Sequence, residues 1–189
     1  MAPDEGLATS SWLMLTNDQT SLTLDALQSY EAVGWPTPLL LLDNGKGGDS
    51  ESVRERFAHR LGVDLQVFGD GTNYGVAGGR NYLAQRATCD WLVFVDNDVL
   101  FTEEVAGLVD ELRRSSSDIV LPVILDRGGR VCSAGGTFRP WLSWGRNGYA
   151  GADVETARRH LDRYADWGGG CCLSVRRSTF EAMIERKMD

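Results

Sequence analysis

Histidine is almost missing from this chain, with 2 among 189 residues, and the 4 cysteines are Cys89, Cys132 and the adjacent Cys171-Cys172. None forms a C-x-x-C pair, so the ligand spacing of a structural zinc site is absent. Adjacent cysteines do not readily close a disulfide on each other, and reduced thiols in a cytoplasmic protein are expected. No apolar run approaches the length of a membrane-spanning helix. Residues 1–11 lack the basic start and apolar core of a secretory signal and read as a short disordered lead. Basic residues are also in deficit: 19 Lys and Arg stand against 27 Asp and Glu, a net charge of -8. That balance argues against nucleic acid or an anionic membrane as a partner. An anionic small ligand would need a metal ion, or local arginine and backbone donors.

Two glycine signatures are lacking as well. The first strand runs into Thr16-Asn17-Asp18-Gln19, not into G-x-G-x-x-G, which demotes a dinucleotide dehydrogenase. No Gly-Lys-Ser/Thr ending marks a P-loop. The basic, glycine-rich loop that nucleotidyltransferases carry after their first strand is missing too.

What remains is a chain of one-domain length with a near-globular apolar fraction of 42%. Strand and helix signals alternate from Trp12 to Val123, which predicts an α/β fold with a mostly parallel sheet flanked by helices. Strands are expected at 12–16, 39–42, 64–68, 91–95 and 118–123. Leu39-Leu40-Leu41-Leu42 has no alternation and suits a parallel strand covered on both faces. Helices are expected from Thr20 or Ser21 to Ala32, over 51–61 with Asp49 or Ser50 as cap, from the glycine-rich stretch to Ala87, and over 102–114. Beyond Pro122 the pattern changes. A turn at Asp126-Arg127-Gly128-Gly129 separates short strands, and 138–149 is aromatic and irregular. A helix follows over 153–164, then a glycine run into a strand near 171–175, and a last helix over 179–187 capped by Ser178.

Three stretches carry chemistry. Trp91 to Val95 delivers Asp96 and Asp98, one residue apart, at a strand end, either as a polar turn or as a site for a divalent cation. Asp43 ends the all-leucine strand at the same edge, either as an Asx turn with Gly45 or as an acceptor for a base N–H or ribose hydroxyl. Asn73, Gly75, Gly78, Gly79, Arg80 and Asn81 open a helix, either as a close-packed turn or as an anion-binding helix start.

Four segments in order resemble inverting family-2 glycosyltransferases of the GT-A fold. They are Thr16-Asn17, then Leu40-Leu41-Leu42-Asp43-Asn44-Gly45, then Asn73-Tyr74-Gly75-Val76-Ala77-Gly78-Gly79-Arg80-Asn81, then Phe94-Val95-Asp96-Asn97-Asp98 as the D-x-D stretch. Gly168-Gly169-Gly170-Cys171-Cys172 is similar to the small-residue segment where the acceptor side begins. The resemblance implies a single GT-A domain, with a donor-binding half over 12–124 and an incomplete acceptor-side segment over 125–189. It implies a nucleotide-diphospho-sugar donor of UDP, GDP or dTDP type, and transfer with inversion to a glycan, lipid-linked or small-molecule hydroxyl. Asp43 would bind the base, with Thr16 lining the same pocket. Asn73, Arg80 and Asn81 would lie near ribose and diphosphate, the Trp167-Gly168-Gly169 stretch would help form the sugar and acceptor wall, and Trp141 to Tyr149 would either stack on a sugar ring or a lipid-linked acceptor or pack as core. Asp96 would contact ribose or metal, and Asp98 would ligate Mn²⁺ or Mg²⁺. Lys46 departs from the family's usual Ser. The family's catalytic base falls beyond Asp189, and Asp153, Asp162 and Asp166 do not match its position. A nucleotide-sugar-binding module without turnover is therefore the alternative expectation.

Overall fold

The computed structural model describes residues 10–139, 144–160 and 165–185. A six-stranded sheet is built from β1 (Ser10–Thr16), β2 (Leu39–Asp43), β3 (Leu65–Phe68), β4 (Trp91–Asp96), β5 (Ile119–Val120) and β10 (Cys172–Arg176). Its order is β3-β2-β1-β4-β10-β5. The first four run parallel, and β10 lies antiparallel between β4 and β5. Chain order reverses at β1, so the crevice between β1 and β4 at their C-terminal ends is the topological switch point. The register there pairs Thr16 with Asp43, and Leu15 with Asp96. Three strands thus end on one crest.

The strands are buried on both faces because alternate side chains feed two cores. Trp12, Met14, Leu39, Leu41, Trp91, Val93 and Val95 pack with helices α1 (Thr20–Ala32), α2 (Gly48–Arg56) and α4 (Val105–Arg114). Leu13, Leu40, Leu42, Leu92 and Phe94 face α3 (Gly75–Ala84), with Phe180 of α6 (Arg177–Glu185) at the margin. This is the mainly parallel, helix-flanked sheet that the leucine run implies.

Several boundaries differ from expectation. Ser10 and Ser11, placed in the lead, are buried and belong to β1, paired with Trp91 and Leu92. Residues 1–9 lie outside the described residues. Helix α2 begins at Gly48 and stops at Arg56, ahead of a 3-10 turn at Ala58–Arg60. Neither Asp49 nor Ser50 caps it. Asp43 takes the Ser50 N–H from the preceding strand end, and Asp49 turns inward to Thr16 and Thr20. Helix α3 ends at Ala84, and α4 starts at Val105 after a turn in which Val105 N–H bonds the Thr102 carbonyl.

On the far side, β6 (Ile124–Leu125) and β7 (Val131–Ser133) form the expected hairpin around the Asp126 turn. The 138–149 stretch is not wholly irregular. β8 (Gly136–Arg139) pairs antiparallel with β9 (Trp144–Asn147), which satisfies the backbone of a segment rich in strand-favouring Thr, Phe and Trp. Helix α5 (Val154–His160) covers the start of the expected 153–164 helix. Trp141, Asp162 and residues 186–189 lie outside the described residues, so the stacking reading of Trp141 and the helix end at Lys187 do too.

Candidate functional site

The crest is assembled by hydrogen bonds that link strand ends to loops. Thr16 passes its carbonyl to the Asn44 N–H at 2.7 Å. Asp18 then turns in the left-handed region, at φ 55°, and its Oδ1 receives the Lys46 N–H at 3.2 Å. A Cβ on Gly45 would stand 2.6 Å from that Oδ1, so the close approach of these two loops needs glycine there. Asn44, 5% exposed, reaches the other way. Its Oδ1 accepts the Tyr74 N–H at 2.8 Å and its Nδ2 donates to the Gly75 carbonyl at 3.3 Å. Asn44 thereby fixes the glycine-rich loop and the start of α3 against the end of β2. Gly79 packs so closely on Leu15 and Leu42 that a Cβ would meet Leu15 at 2.9 Å, which seats α3 on the sheet.

Arg80 rises from that helix. Its Nη2 donates to the Gly170 carbonyl at 2.8 Å and to Asp96 Oδ1 at 3.3 Å, and its guanidinium lies 5.6 Å from the Phe94 ring. One side chain therefore joins α3, the end of β4 and the glycine run before β10. The Asp96 N–H bonds the Cys171 carbonyl at 2.9 Å, which fastens the same run to β4. Partial burial raises the Asp96 carboxyl above its ordinary value, Arg80 pulls it back, and the Asp98 charge pushes it up again. Asp98 itself is exposed.

The structure thus brings Arg80, Asp96, Asp98 and Gly170 to one place. Gly169 is one residue further, and a Cβ on it would stand 3.1 Å from Ser133 Oγ. Asn73 is exposed and its Oδ1 accepts the Gly75 N–H at 2.8 Å, so it shapes the loop. Asn81 lies on α3 next to Arg80, half-buried. Asp43 is 1% exposed, with Oδ1 on the Gly45 N–H at 2.9 Å and Oδ2 on the Ser50 N–H at 2.7 Å. It forms the Asx turn with Gly45 that the sequence allowed. Thr16 is 2% exposed and its hydroxyl donates inward to Asp49. Sequence reasoning left out Asn44, Asp49 and Asn97 as builders of the crest. Asn44 and Asn97 sit inside the quoted motifs, and that adjacency was the available signal.

Among the described residues, no three or more His, Cys, Asp or Glu side chains gather as a metal cluster. The donor set present is a carboxylate pair, Asp96 at the end of β4 and Asp98 in the turn that follows. Hard divalent cations take oxygen ligands and readily share them with phosphate and water, so two carboxylates at an open crest fit such an ion in company with an anionic ligand. Burial disfavours the thiolate form of the nearby thiols. Burial pushes Cys172 up to about 12, and burial also raises Cys171.

A mainly parallel, helix-flanked sheet with a carboxylate pair and an arginine at its switch point defines an α/β domain of the class that takes ligands in that crevice. The comparisons narrow that class. Residues 37–162, well over half of the chain, match glycosyl transferase family 2. The chain belongs to that family. Comparison with curated proteins gives no match. Among solved structures it is similar to the mannosyltransferase PcManGT from Pyrobaculum calidifontis in complex with GDP-Man and Mn²⁺, at 14% identity and a TM-score of 0.59. It is similar to S. aureus TarS at 17% and 0.61, and to GalNAc-T7 with UDP, GalNAc and Mn²⁺ at 16% and 0.60. These matches cover 93%, 93% and 94% of this chain but 46%, 49% and 36% of the other chains. The likeness is one of fold, and the chain spans less than half the length of these three structures. No helix among the described residues is long and apolar enough to cross a membrane.

Proposed function

We propose that this domain binds a nucleotide-diphospho-sugar at the β1/β4 crest and serves the transfer of its sugar, with inversion, to an acceptor hydroxyl. The observation that carries this reading is the convergence of Asp96, Asp98 and Arg80 on the switch point of a family-2 sheet. The GDP-Man, UDP and Mn²⁺ named for the structural neighbours support a donor of this class. Asp98, with Asp96, would hold Mn²⁺ or Mg²⁺. When bound, the cation supplies charge neutralisation for a departing diphosphate.

The chain's own residues orient the donor. Arg80 sets Asp96 and the Gly170 backbone at a fixed separation and adds positive charge beside the phosphate path. The small residues at 168–170 let the backbone approach the sugar. Asn73 and Asn81 flank the ribose and diphosphate from the α3 side. The base lies over the Thr16 and Asp43 end of the crest, where Asp43 shapes the wall through Gly45 and Ser50. UDP, GDP and dTDP are the candidate nucleotides. The acceptor is a glycan, lipid-linked or small-molecule hydroxyl.

A second reading, donor binding without turnover, is favoured by the use of the acceptor-side carboxylates. Asp153 accepts both the N–H and the hydroxyl of Thr156, and Asp166 accepts the Phe138 N–H at 2.8 Å. Both carboxylates already serve as acceptors for neighbouring donors. A thermal-shift panel of UDP, GDP and dTDP with and without Mn²⁺ tests donor binding, because a specific ligand raises apparent stability. No metal-dependent shift with any nucleotide would sink the donor-site reading. Sugar transfer by this chain would sink the binding-only one.

A further inference from the structure

Between the two carboxylates of the crest, Asn97 points the other way. It is 8% exposed, and its Nδ2 donates to Thr23 Oγ1 at 3.0 Å and to Thr16 Oγ1 at 3.4 Å. Beneath these hydroxyls lies Asp49, 1% exposed, which accepts the hydroxyls of Thr16 and Thr20 and the Gln19 N–H. The chain of bonds runs from α2, through β1 and α1, to the turn Asp96–Val99, which is closed by the Val99 N–H on the Asp96 carbonyl at 3.3 Å.

Proton counting fixes the direction of the Thr16 and Asn97 bonds. An ionised carboxylate only accepts, so the single hydroxyl proton of Thr16 is committed to Asp49. The single proton of Thr23 goes to the Gln19 carbonyl at 3.0 Å or to Thr16 Oγ1 at 2.7 Å. Thr16 therefore has no proton to offer position 97, and Thr23 offers its own only by leaving both the Gln19 carbonyl and Thr16. Asparagine brings its own N–H on a short side chain and leaves these bonds in place. An aspartate would aim a carboxylate oxygen at the Thr16 lone pairs and would bond Thr23 only by breaking its present bond.

Resting on the donor-site reading above, we infer that Asn97, held by Thr23 and Thr16 and anchored on Asp49, is a positioning residue that sets the Asp96–Asp98 turn for its cation. All four side chains are buried beneath the crest. The inference opposes the view of Asn97 as an interchangeable turn residue. In that view Asn97→Asp adds an oxygen ligand and leaves cation binding unchanged or stronger.

The test is calorimetric titration of Mn²⁺ and UDP on the whole chain, with GDP or dTDP if the thermal panel favours them. Asn97→Asp and Thr23→Val are expected to weaken metal-dependent nucleotide binding about ten-fold, with metal-free binding unchanged. Thr23→Ser, which restores the hydroxyl, is expected to stay within about two-fold of the parent. In proton-exchange NMR the Asn97 side-chain amide should be protected in the parent and in Thr23→Ser, and less protected in Thr23→Val, which keeps only the longer bond to Thr16. Should Asn97→Asp fail to fold, the Thr23 pair decides alone. Equal binding by Thr23→Val and the parent, or equal losses in Thr23→Val and Thr23→Ser, would overturn the inference. Absence of metal-dependent binding in the parent is a separate outcome, which removes the donor-site reading and this inference with it.

Discussion

Replacing Arg80 with alanine dismantles the joint between α3, β4 and the glycine run. Three contacts go. The bond to the Gly170 carbonyl is charge-assisted at 2.8 Å but lies near solvent, so about 1.5 kcal/mol is a fair loss. The pair with Asp96 is longer, at 3.3 Å, and the Asp96 side chain is 48% exposed, so it adds only about 0.5 kcal/mol after screening. The guanidinium at 5.6 Å from the Phe94 ring adds about 0.5 kcal/mol. Together they give about 2.5 kcal/mol, or a fall in Tm of roughly 5–10 °C for a chain of this size. Lysine at 80 offers a compact ammonium in place of a planar fork, so Arg80→Lys should lose about half as much. Urea unfolding of the three proteins measures the losses, and an NMR titration of the Asp96 carboxyl supplies an independent readout. Its pKa should rise in Arg80→Ala, because the cation that pulls it down is gone. An alanine variant within about 0.5 kcal/mol of the parent, with an unmoved Asp96 titration, would refute the bridging role.

Two further outcomes follow from the same crest. Asp43→Ala leaves the Gly45 and Ser50 N–H groups without their acceptor at a buried site and should cost about 2–4 kcal/mol in urea unfolding. The milder Asp43→Asn should change the ratio of affinities for UDP, GDP and dTDP if the base lies against this wall, while equal loss for all three would make Asp43 structural only. Asp49 gives a pH dependence. Burial alone would raise it, but the hydroxyls of Thr16 and Thr20 and the backbone N–H groups of Gln19 and Asp18 hold it below the ordinary carboxylate value. A depressed folded pKa contributes stability that is present above the unfolded value, about 3.9, and is lost as pH falls through the folded value. Asp49→Asn should therefore be less stable than the parent near neutrality and should lose less on acidification through that range. Parallel pH profiles would contradict the anchoring of Asp49.

Much of the fold was legible because the strands are written as uninterrupted apolar runs. Leu39–Leu42 and Trp91–Val95 have no polar alternation, and a parallel sheet covered on both faces is the arrangement that buries them. The ends of those runs placed Asp43 and Asp96 on one edge. The rest depended on contacts between residues far apart in the chain. Asp49 reads as a helix cap from its neighbours, yet it bonds Thr16 and Thr20, some thirty positions earlier. Asn97 reads as a turn residue, while its partners are Thr16 and Thr23. The β8/β9 ribbon was missed because its strands are short and glycine-bearing, and cross-strand pairing, not local pattern, holds them. Asp43 satisfied both of its readings at sequence level, and geometry shows that its carboxylate is occupied by backbone donors.

The central claim is that Asp96-Asn97-Asp98 holds a cation for a nucleoside diphosphate. The most direct measurement is calorimetric titration of UDP, GDP and dTDP into the parent chain and Asp98→Asn, each with and without Mn²⁺. One nucleotide is expected to bind the parent in a Mn²⁺-dependent way, and Asp98→Asn to lose at least about ten-fold of that affinity with its unfolding midpoint unchanged. Equal metal-dependent affinity in the two proteins would contradict it.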